Sequence, residues 1–141
     1  MSAPIGAKTI LLIDDDEDFR DPVEIVLSAQ GYRVRCAGDG DEGVRMAAEE
    51  RPDLILLDLL MPGKDGFETS QELAANAALA DVPVLALTSF GNRALDYYDP
   101  DSQHTPRNIR GFLGKPIDFS VLVARVAAAI NVGGHAASAS P

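Results

Sequence analysis

Five short apolar segments run along this chain, and each is too short to form a buried helix. They are rich in Ile, Leu and Val, which is typical of parallel strands covered on both faces. Because stretches with helical periodicity separate most of them, the pattern predicts a doubly wound, parallel α/β sheet with right-handed crossovers. The segments are 9–13, 32–37, 54–57, 82–87 and 109–113.

Two crossover regions interrupt this regular pattern. Pro22 lies inside the first helical stripe, so the helix either begins at Asp21 or begins near Asp16 and bends at the proline; Phe19 already matches the stripe, which favours the earlier start. Between the last two strands, several Asp and Pro residues break any long helix. We therefore expect an atypical fourth helix there, short and near 92–98, followed by an irregular acidic loop.

The chain of 141 residues fits one domain, which we place at 8–131, with a flexible N-terminus at 1–7 and a disordered tail at 132–141. Only 26 residues follow Lys115, which is too few for an appended helix-turn-helix output domain. The expectation is a free-standing module that acts through protein contacts.

Composition excludes several classes of function. Acidic residues number 22 against 12 basic ones, giving a net charge of −10, and no basic cluster is present, so nucleic-acid binding is not expected. The apolar runs are far shorter than a membrane span, and no signal peptide is recognisable, which favours a cytoplasmic protein. The single cysteine, Cys36, cannot form a disulfide framework.

Polar side chains follow four of the predicted strands. Carboxylates come after the first and third strands, hydroxyls after the fourth and an ammonium after the fifth: Asp14 and Asp15, Asp58, Thr88 and Ser89, and Lys115. Since the carboxyl ends of parallel strands meet at one edge of a sheet, these groups should form a single site.

The charges of that site indicate its chemistry. Three clustered carboxylates repel one another, so Lys115 and a hard divalent cation such as Mg²⁺ are expected to balance them. A metal, a lysine and a hydroxyl around a carboxylate are suited to phosphoryl transfer. Asp58 stands alone at its strand end, whereas Asp14 and Asp15 are adjacent, so Asp58 is the candidate acceptor that would form an acyl phosphate.

The ordered set of these motifs resembles the receiver domain of two-component response regulators. The resemblance covers roughly 8–131 and rests on the motifs Leu-Ile-Asp-Asp at 12–15, Asp-Leu-Leu-Met-Pro at 58–62, Lys-Asp-Gly at 64–66, Leu-Thr-Ser at 87–89 and Phe-Leu-Gly-Lys-Pro at 112–116. It implies a flavodoxin-like fold with strand order 2-1-3-4-5.

The resemblance also implies roles for individual residues. Asp58 would accept a phosphoryl group from a phosphohistidine of a sensor histidine kinase or a phosphotransfer protein. Asp15, Asp58 and the backbone carbonyl of Leu60 would bind Mg²⁺, and Asp14 would hold metal-bound water. Lys115, aimed by a cis bond to Pro116, would contact a phosphoryl oxygen. Such a protein is a phosphoacceptor rather than an enzyme with a separate substrate, and its downstream protein target is not identified by these motifs.

A conformational switch is implied as well. In the family, a hydroxyl at the position of Thr88 bonds the phosphoryl group, and an aromatic residue matching Phe112 rotates inward. An ordinary core phenylalanine is the alternative for Phe112. We interpret Asp65 as a helix cap and Gly66 as a residue needed for an unusual backbone angle.

The chain departs from the family pattern in two places. The interval from Thr88 to Lys115 is longer than usual, so the partner and dimer surfaces of relatives are not transferred to this chain. Leu60 and Phe90 stand where the family often has polar groups that orient attacking water, which predicts slow self-dephosphorylation.

Three other functions fit parts of the pattern. A Mg²⁺-dependent phosphatase with an aspartyl nucleophile would use the same carboxylates, but the chain lacks a cap insertion. A flavodoxin-like nucleotide or flavin carrier would need a phosphate-binding first loop, whereas residues 14–18 are all acidic. An inactive pseudo-receiver is disfavoured because every expected position is filled.

Overall fold

A five-stranded parallel sheet in the order β2-β1-β3-β4-β5 forms the centre of the molecule. The computed structural model describes residues 6–89 and 107–135, with the backbone alone for 132–135. The strand order and the flavodoxin-like fold predicted from the sequence are confirmed. The strands are β1 (Thr9–Ile13), β2 (Arg33–Ala37), β3 (Leu54–Asp58), β4 (Val84–Ser89) and β5 (Ile109–Lys115).

Helices cover both faces of the sheet. The described helices are α1 (Glu17–Ala29), α2 (Gly40–Glu49), α3 (Gly66–Ala75) and α4 (Phe119–His135). Ala47 of α2 and Leu73 of α3 belong to one buried apolar cluster, while Leu27 of α1 and Leu122 of α4 belong to a second. Strands β1 and β3 are buried along their whole length, because their alternating side chains enter both clusters.

The first helix begins before its proline, as the position of Phe19 predicted. Asp16 caps α1 by accepting a hydrogen bond from the backbone N–H of Asp18, and Pro22 lies inside the helix. Proline lacks an N–H and therefore removes one intrahelical hydrogen bond. Burial of Val23 and Leu27 in the core compensates for that loss.

The last helix is longer than predicted. The domain was expected to end at residue 131, but α4 continues to His135, so the first four residues of the predicted tail are helical. Glycine has a low helix propensity, and the predicted domain end at residue 131 lies just before the pair of glycines at 133 and 134. Residues 1–5, the fourth helix predicted near 92–98 with its acidic loop, and residues 136–141 lie outside the described residues.

Some details of side-chain placement differ from the helical stripes. Phe119 is apolar yet 40% exposed, because it is the first residue of α4. A buried polar contact at the end of the sheet where β5 begins was not predicted from the sequence. Ser70 Oγ donates to Asn108 Oδ1 at 2.8 Å, and Asn108 Nδ2 donates to the carbonyl of Ser70 at 3.2 Å. This contact joins α3 to the start of β5.

Within the described part of the chain, no helix is both long and apolar enough to cross a membrane.

Candidate functional site

Three carboxylates converge at the carboxyl edge of the sheet. Asp58 is the last residue of β3, and Asp14 and Asp15 follow β1, its neighbour in the sheet. One oxygen from each of the three lies within 4.8 Å of the others. Asp14 and Asp58 are buried, whereas Asp15 is exposed. The structure thus brings together the carboxylates that the sequence predicted, and it leaves one of them open to solvent.

Lys115 lies against two of these carboxylates. Its Nζ donates to Asp14 Oδ2 at 2.7 Å and lies 3.6 Å from Asp58 Oδ2. The peptide bond from Lys115 to Pro116 is cis, as expected from the resemblance. Backbone donors complete the bonding of the carboxylates. The N–H of Asp16 donates to Asp14 Oδ1 at 2.9 Å, and the N–H of Leu60 donates to Asp58 Oδ1 at 3.1 Å.

The environment of Asp58 disfavours its charged form. Burial is the main cause and repulsion from Asp14 the second, and together they raise the pKa of Asp58 from 3.8 to about 6. Lys115 and the N–H of Leu60 lower the pKa of Asp58, but they offset only part of the increase. Three carboxylates facing one ammonium leave an excess of negative charge. At separations near 4.8 Å, each carboxylate pair repels by about 3 kcal/mol at an effective dielectric constant near 20.

The two hydroxyls after the fourth segment are not equivalent. Thr88 is 2% exposed and pairs with Gly114 in the register of β4 and β5, one position before the pair formed by Ser89 and Lys115. Thr88 Oγ1 lies 3.5 Å from the carbonyl of Ser89, while Ser89 itself is exposed. Thr88 is thus a buried hydroxyl at the same sheet edge as Lys115.

The loop from β3 to α3 approaches the backbone of Asp58 closely. A Cβ at Gly66 would clash with the carbonyl oxygen of Asp58 and lie 2.6 Å from Leu59 Cα. The prediction that Gly66 serves an unusual backbone angle is therefore wrong, because its requirement is close approach. The positive φ of 75° in this loop belongs to Gly63 instead. Asp65 is a helix cap, as predicted, and accepts from the N–H of Glu68 at 2.9 Å.

Two residues of α1 contact the site although the sequence pattern gave neither of them a role there. The ring centroid of Phe19 lies 4.2 Å from Lys115 Nζ, a cation–π contact. Arg20 Nη1 donates to the backbone carbonyl of Asp14 at 2.8 Å. Both residues lie in the first turns of the helix that follows Asp14 and Asp15, and this position could have indicated a role at the site. The helical stripe, however, explained Phe19 equally well as a core residue.

The remaining predicted residues lie around the cluster. Leu60 follows β3 with its side chain 53% exposed. Phe112 is partly buried and packs against the apolar cluster beneath α2 and α3. Phe90 lies outside the described residues.

The donor set of the site fits a hard divalent cation. All its candidate ligand atoms are oxygens, two of the three carboxylates are buried, and the single ammonium does not balance their charge. Mg²⁺ takes oxygen ligands, holds several waters and is bound through one or two carboxylates. The exposed position of Asp15 leaves the cluster accessible from solvent.

Comparison with known proteins identifies the family. Residues 10–127 match the family described as response regulator receiver domain. The chain is 40% identical over 122 residues to the DNA-binding dual master transcriptional regulator RpaA of Synechocystis, covering 86% of this chain and 48% of RpaA. It is 39% identical over 117 residues to the response regulator PleD of Caulobacter vibrioides, covering 83% of this chain and 25% of PleD. The chain thus spans half or less of the length of these relatives.

Solved structures agree with the sequence comparison. The chemotaxis protein CheY4 of Vibrio cholerae superimposes with a TM-score of 0.77 at 26% identity, covering 88% of this chain and 99% of that protein. The family match favours a phosphoacceptor over the aspartyl phosphatase and the flavodoxin-like carrier. The sequence match, the sheet order and the convergence of Asp14, Asp15, Asp58 and Lys115 show that this chain belongs to the response regulator receiver domain family.

Proposed function

We propose that this protein is a phosphoacceptor of a two-component system and that Asp58 carries the phosphoryl group. The observation that supports this most directly is the geometry around Asp58. Its carboxylate ends a buried strand, faces Asp14 and Lys115, and belongs to an oxygen cluster that is open to solvent at Asp15. A nucleophile, a balancing cation and a route for a donor therefore meet at one place.

In the proposed reaction, an oxygen of Asp58 attacks the phosphorus of a phosphohistidine. The new O–P bond gives an acyl phosphate while the P–N bond breaks, and the imidazole leaves with the bonding electron pair and takes up a proton. Burial raises the pKa of Asp58 to about 6, so the carboxylate is ionised near neutral pH. The same burial destabilises the charged carboxylate relative to water and strengthens its nucleophilic character.

Asp14, Asp15 and Asp58, with the backbone carbonyl of Leu60, are the groups we propose to hold Mg²⁺. When bound, Mg²⁺ would supply positive charge against the phosphoryl oxygens. Asp14 already has Lys115 on one oxygen and the N–H of Asp16 on the other. Its most suitable role is therefore to hold a metal-bound water, while Asp15 and Asp58 supply direct ligands.

Lys115 and Thr88 are the groups we propose to bind the phosphoryl oxygens. The Lys115 ammonium lies 3.6 Å from Asp58 Oδ2, so a short displacement of a flexible side chain would reach a group attached to that oxygen. Thr88 is the residue before the last of the neighbouring strand, and its hydroxyl is buried. These two groups can detect whether Asp58 carries a phosphoryl group.

Phe112 is the residue we propose to report the change. It lies on β5 three positions before Lys115, and it already packs against the cluster beneath α2 and α3. A shift of Thr88 towards Asp58 would open space on that side of the sheet for the ring. The resulting change would alter a protein-binding surface rather than an active site.

The partners we propose follow from the same chemistry. A sensor histidine kinase or a histidine phosphotransfer protein would donate the phosphoryl group, and a downstream protein would read the altered surface. We also propose a cytoplasmic location, because two-component phosphoryl transfer of this kind uses cytoplasmic donors. The net charge of −10 disfavours direct nucleic-acid binding by this domain.

Incubation with acetyl phosphate and Mg²⁺, followed by intact mass measurement, tests the proposal. We expect one phosphoryl group per chain on the wild type, none on Asp58→Asn, and none when EDTA removes the metal. Asp21→Asn is a matched control, since it removes an exposed carboxylate from α1. Undiminished phosphorylation of Asp58→Asn, or none on the wild type, would overturn the assignment.

A further inference from the structure

A cavity of about 330 Å³ lies at the end of the sheet opposite the carboxylates. Its walls come from the start of β4, the start of β5 and the second half of α4. Pro83 and Leu85 line it from the strand side, and Ala128 and Ala129 line it from the helix. None of the carboxylates of the phosphoacceptor site lines it, so it is a separate feature of the fold.

Small residues create this cavity. Gly111 pairs with Leu85 and faces α4, where the guanidinium of Arg125 occupies the space that a side chain would fill. An added Cβ at Gly111 would lie 2.5 Å from Arg125 Nη2 and 3.3 Å from Leu85 Cδ2. With alanines on the facing turn of the helix, the strand and α4 leave an open volume between them.

An irregularity in β5 adds a second arginine to the lining of the cavity. The register of β4 and β5 shifts between Val84, which pairs with Ile109, and Leu85, which pairs with Gly111. Arg110 is therefore the extra residue of a β-bulge, and bulges redirect a side chain from its regular position. Both Arg110 and Arg125 line the cavity.

Neither arginine has an acidic partner within 4.0 Å in the described part of the chain, although acidic residues outnumber basic ones by 22 to 12. Among the described residues, Asp81 is the only carboxylate that lines the cavity, and it forms no ion pair with Arg110 or Arg125. The other cavity residues named above are apolar. Two arginines and an apolar wall thus line one cavity.

We propose that this cavity binds a small organic anion, with one carboxylate or phosphate group attached to an apolar body about the size of one or two aromatic rings. Paired guanidinium groups recognise such anions through charge-assisted, bidentate hydrogen bonds. The cavity volume lies at the lower end of the range for small-molecule sites, which limits the size of the ligand.

Heteronuclear NMR of the full chain with 1-naphthoate as the probe tests this site. We expect saturable shifts of the amides of Gly111, Ala128 and Ala129. Two related probes separate the contributions. Inorganic phosphate has the charge without the apolar body, and 1-naphthalenemethanol has the body without the charge. Each should bind at least about tenfold more weakly, a loss of at least about 1.4 kcal/mol, because phosphate lacks the apolar burial and the alcohol lacks the charge-assisted contacts.

Variants test the role of the arginines. Arg110→Gln and Arg125→Gln should each weaken naphthoate binding about tenfold, whereas Arg45→Gln, an exposed arginine of α2, should leave it unchanged. Gly111→Ala should also weaken binding, because the new Cβ displaces the flexible end of Arg125. The proposal is overturned if naphthoate shows no saturable shift at these amides, if either simpler probe binds as well, or if both arginine variants bind like the wild type.

Discussion

Lys115 Nζ lies 2.7 Å from Asp14 Oδ2, closer than the 3.6 Å that separates it from Asp58 Oδ2. The resting ammonium is therefore paired mainly with Asp14 and only secondarily with the proposed phosphoacceptor. An ammonium in this position lowers the negative potential that a metal ion would meet. It thus competes electrostatically with a divalent cation for the same carboxylates.

Replacement of Lys115 should separate metal binding from phosphoryl transfer. Lys115→Met retains the apolar stem but removes the charge, so we expect Mg²⁺ to bind about tenfold more tightly, a gain of about 1.4 kcal/mol. Phosphorylation by acetyl phosphate should become slower in the same variant. Calorimetric titration measures the affinity, and Lys64→Met, which removes an ammonium paired with Asp41 and Glu72, is the control. An unchanged or weaker Mg²⁺ affinity in Lys115→Met would contradict the competition.

The raised pKa of Asp58 makes metal-free stability dependent on pH. The folded protein holds the proton of the Asp58 carboxyl more tightly than the unfolded chain does. Ionisation of Asp58 therefore lowers the free energy of unfolding above about pH 6, and this cost disappears as pH falls towards 3.8. A rise in pKa from 3.8 to about 6 corresponds to about 3 kcal/mol. Asp58→Asn should therefore be more stable than the wild type at pH 7.5 by up to this amount.

Urea unfolding in EDTA at pH 7.5 and pH 4.5 measures this effect. The stability difference between Asp58→Asn and the wild type should become smaller at the lower pH. Asp21→Asn controls for the loss of an exposed negative charge. A stability difference for Asp58→Asn that is the same at both pH values would show that burial of the charge does not affect folding.

Gly66 should be intolerant of a side chain. A Cβ there would collide with the backbone of Asp58 and Leu59, which cannot move without displacing the proposed acceptor. We expect Gly66→Ala to lower the free energy of unfolding by about 1 to 3 kcal/mol and to slow phosphorylation. Gly114→Ala is the matched control, because no atom lies within 4 Å of its added Cβ. Equal stability of the two variants would contradict the steric argument.

Leu60 should protect the acyl phosphate from water. Its side chain is 53% exposed two positions after Asp58, and it offers no group that could orient a water molecule. The phosphorylated Leu60→Asn variant should therefore hydrolyse at least about threefold faster, which corresponds to a lowering of the barrier by at least about 0.7 kcal/mol. The mass of the isolated phosphorylated protein, followed over time with Mg²⁺, gives the rate. Leu60→Met preserves the apolar bulk, and an equal rate in both variants would rule out this role.

The sequence predicted the sheet and the convergence of its polar residues, because strand-length apolar runs and strand ends are local signals. Asp14, Asp15 and Asp58 needed only the rule that parallel strands end at one edge. The start of α1 was also predictable, since Phe19 extended the apolar stripe past Pro22. Each of these inferences used residues that are close in sequence or that belong to a regular element.

Contacts between distant side chains could not be predicted in the same way. The bond between Ser70 and Asn108 joins residues 38 positions apart, and neither residue type indicates a partner. The contact between Phe19 and Lys115 depends on rotamers, which the helical stripe does not specify. Gly66 was identified as important, but whether a glycine is needed for its φ angle or for close approach depends on the surrounding backbone.

The buried pair of Ser70 and Asn108 anchors β5 at the end where the strand begins. Asn108 precedes the strand and is bonded to α3 through both the oxygen and the nitrogen of its side-chain amide, while its backbone carbonyl accepts from the N–H of Val84 at 2.8 Å. Lys115, seven residues further along, lies about 23 Å away at the other end, at about 3.3 Å per residue. A movement of Lys115 towards a phosphoryl group would therefore pivot about Asn108. Phe112 is nearer to Lys115 than Arg110 is, so its displacement would be the larger of the two. The displacement of residues along this edge strand should therefore decrease steadily with distance from Asp58.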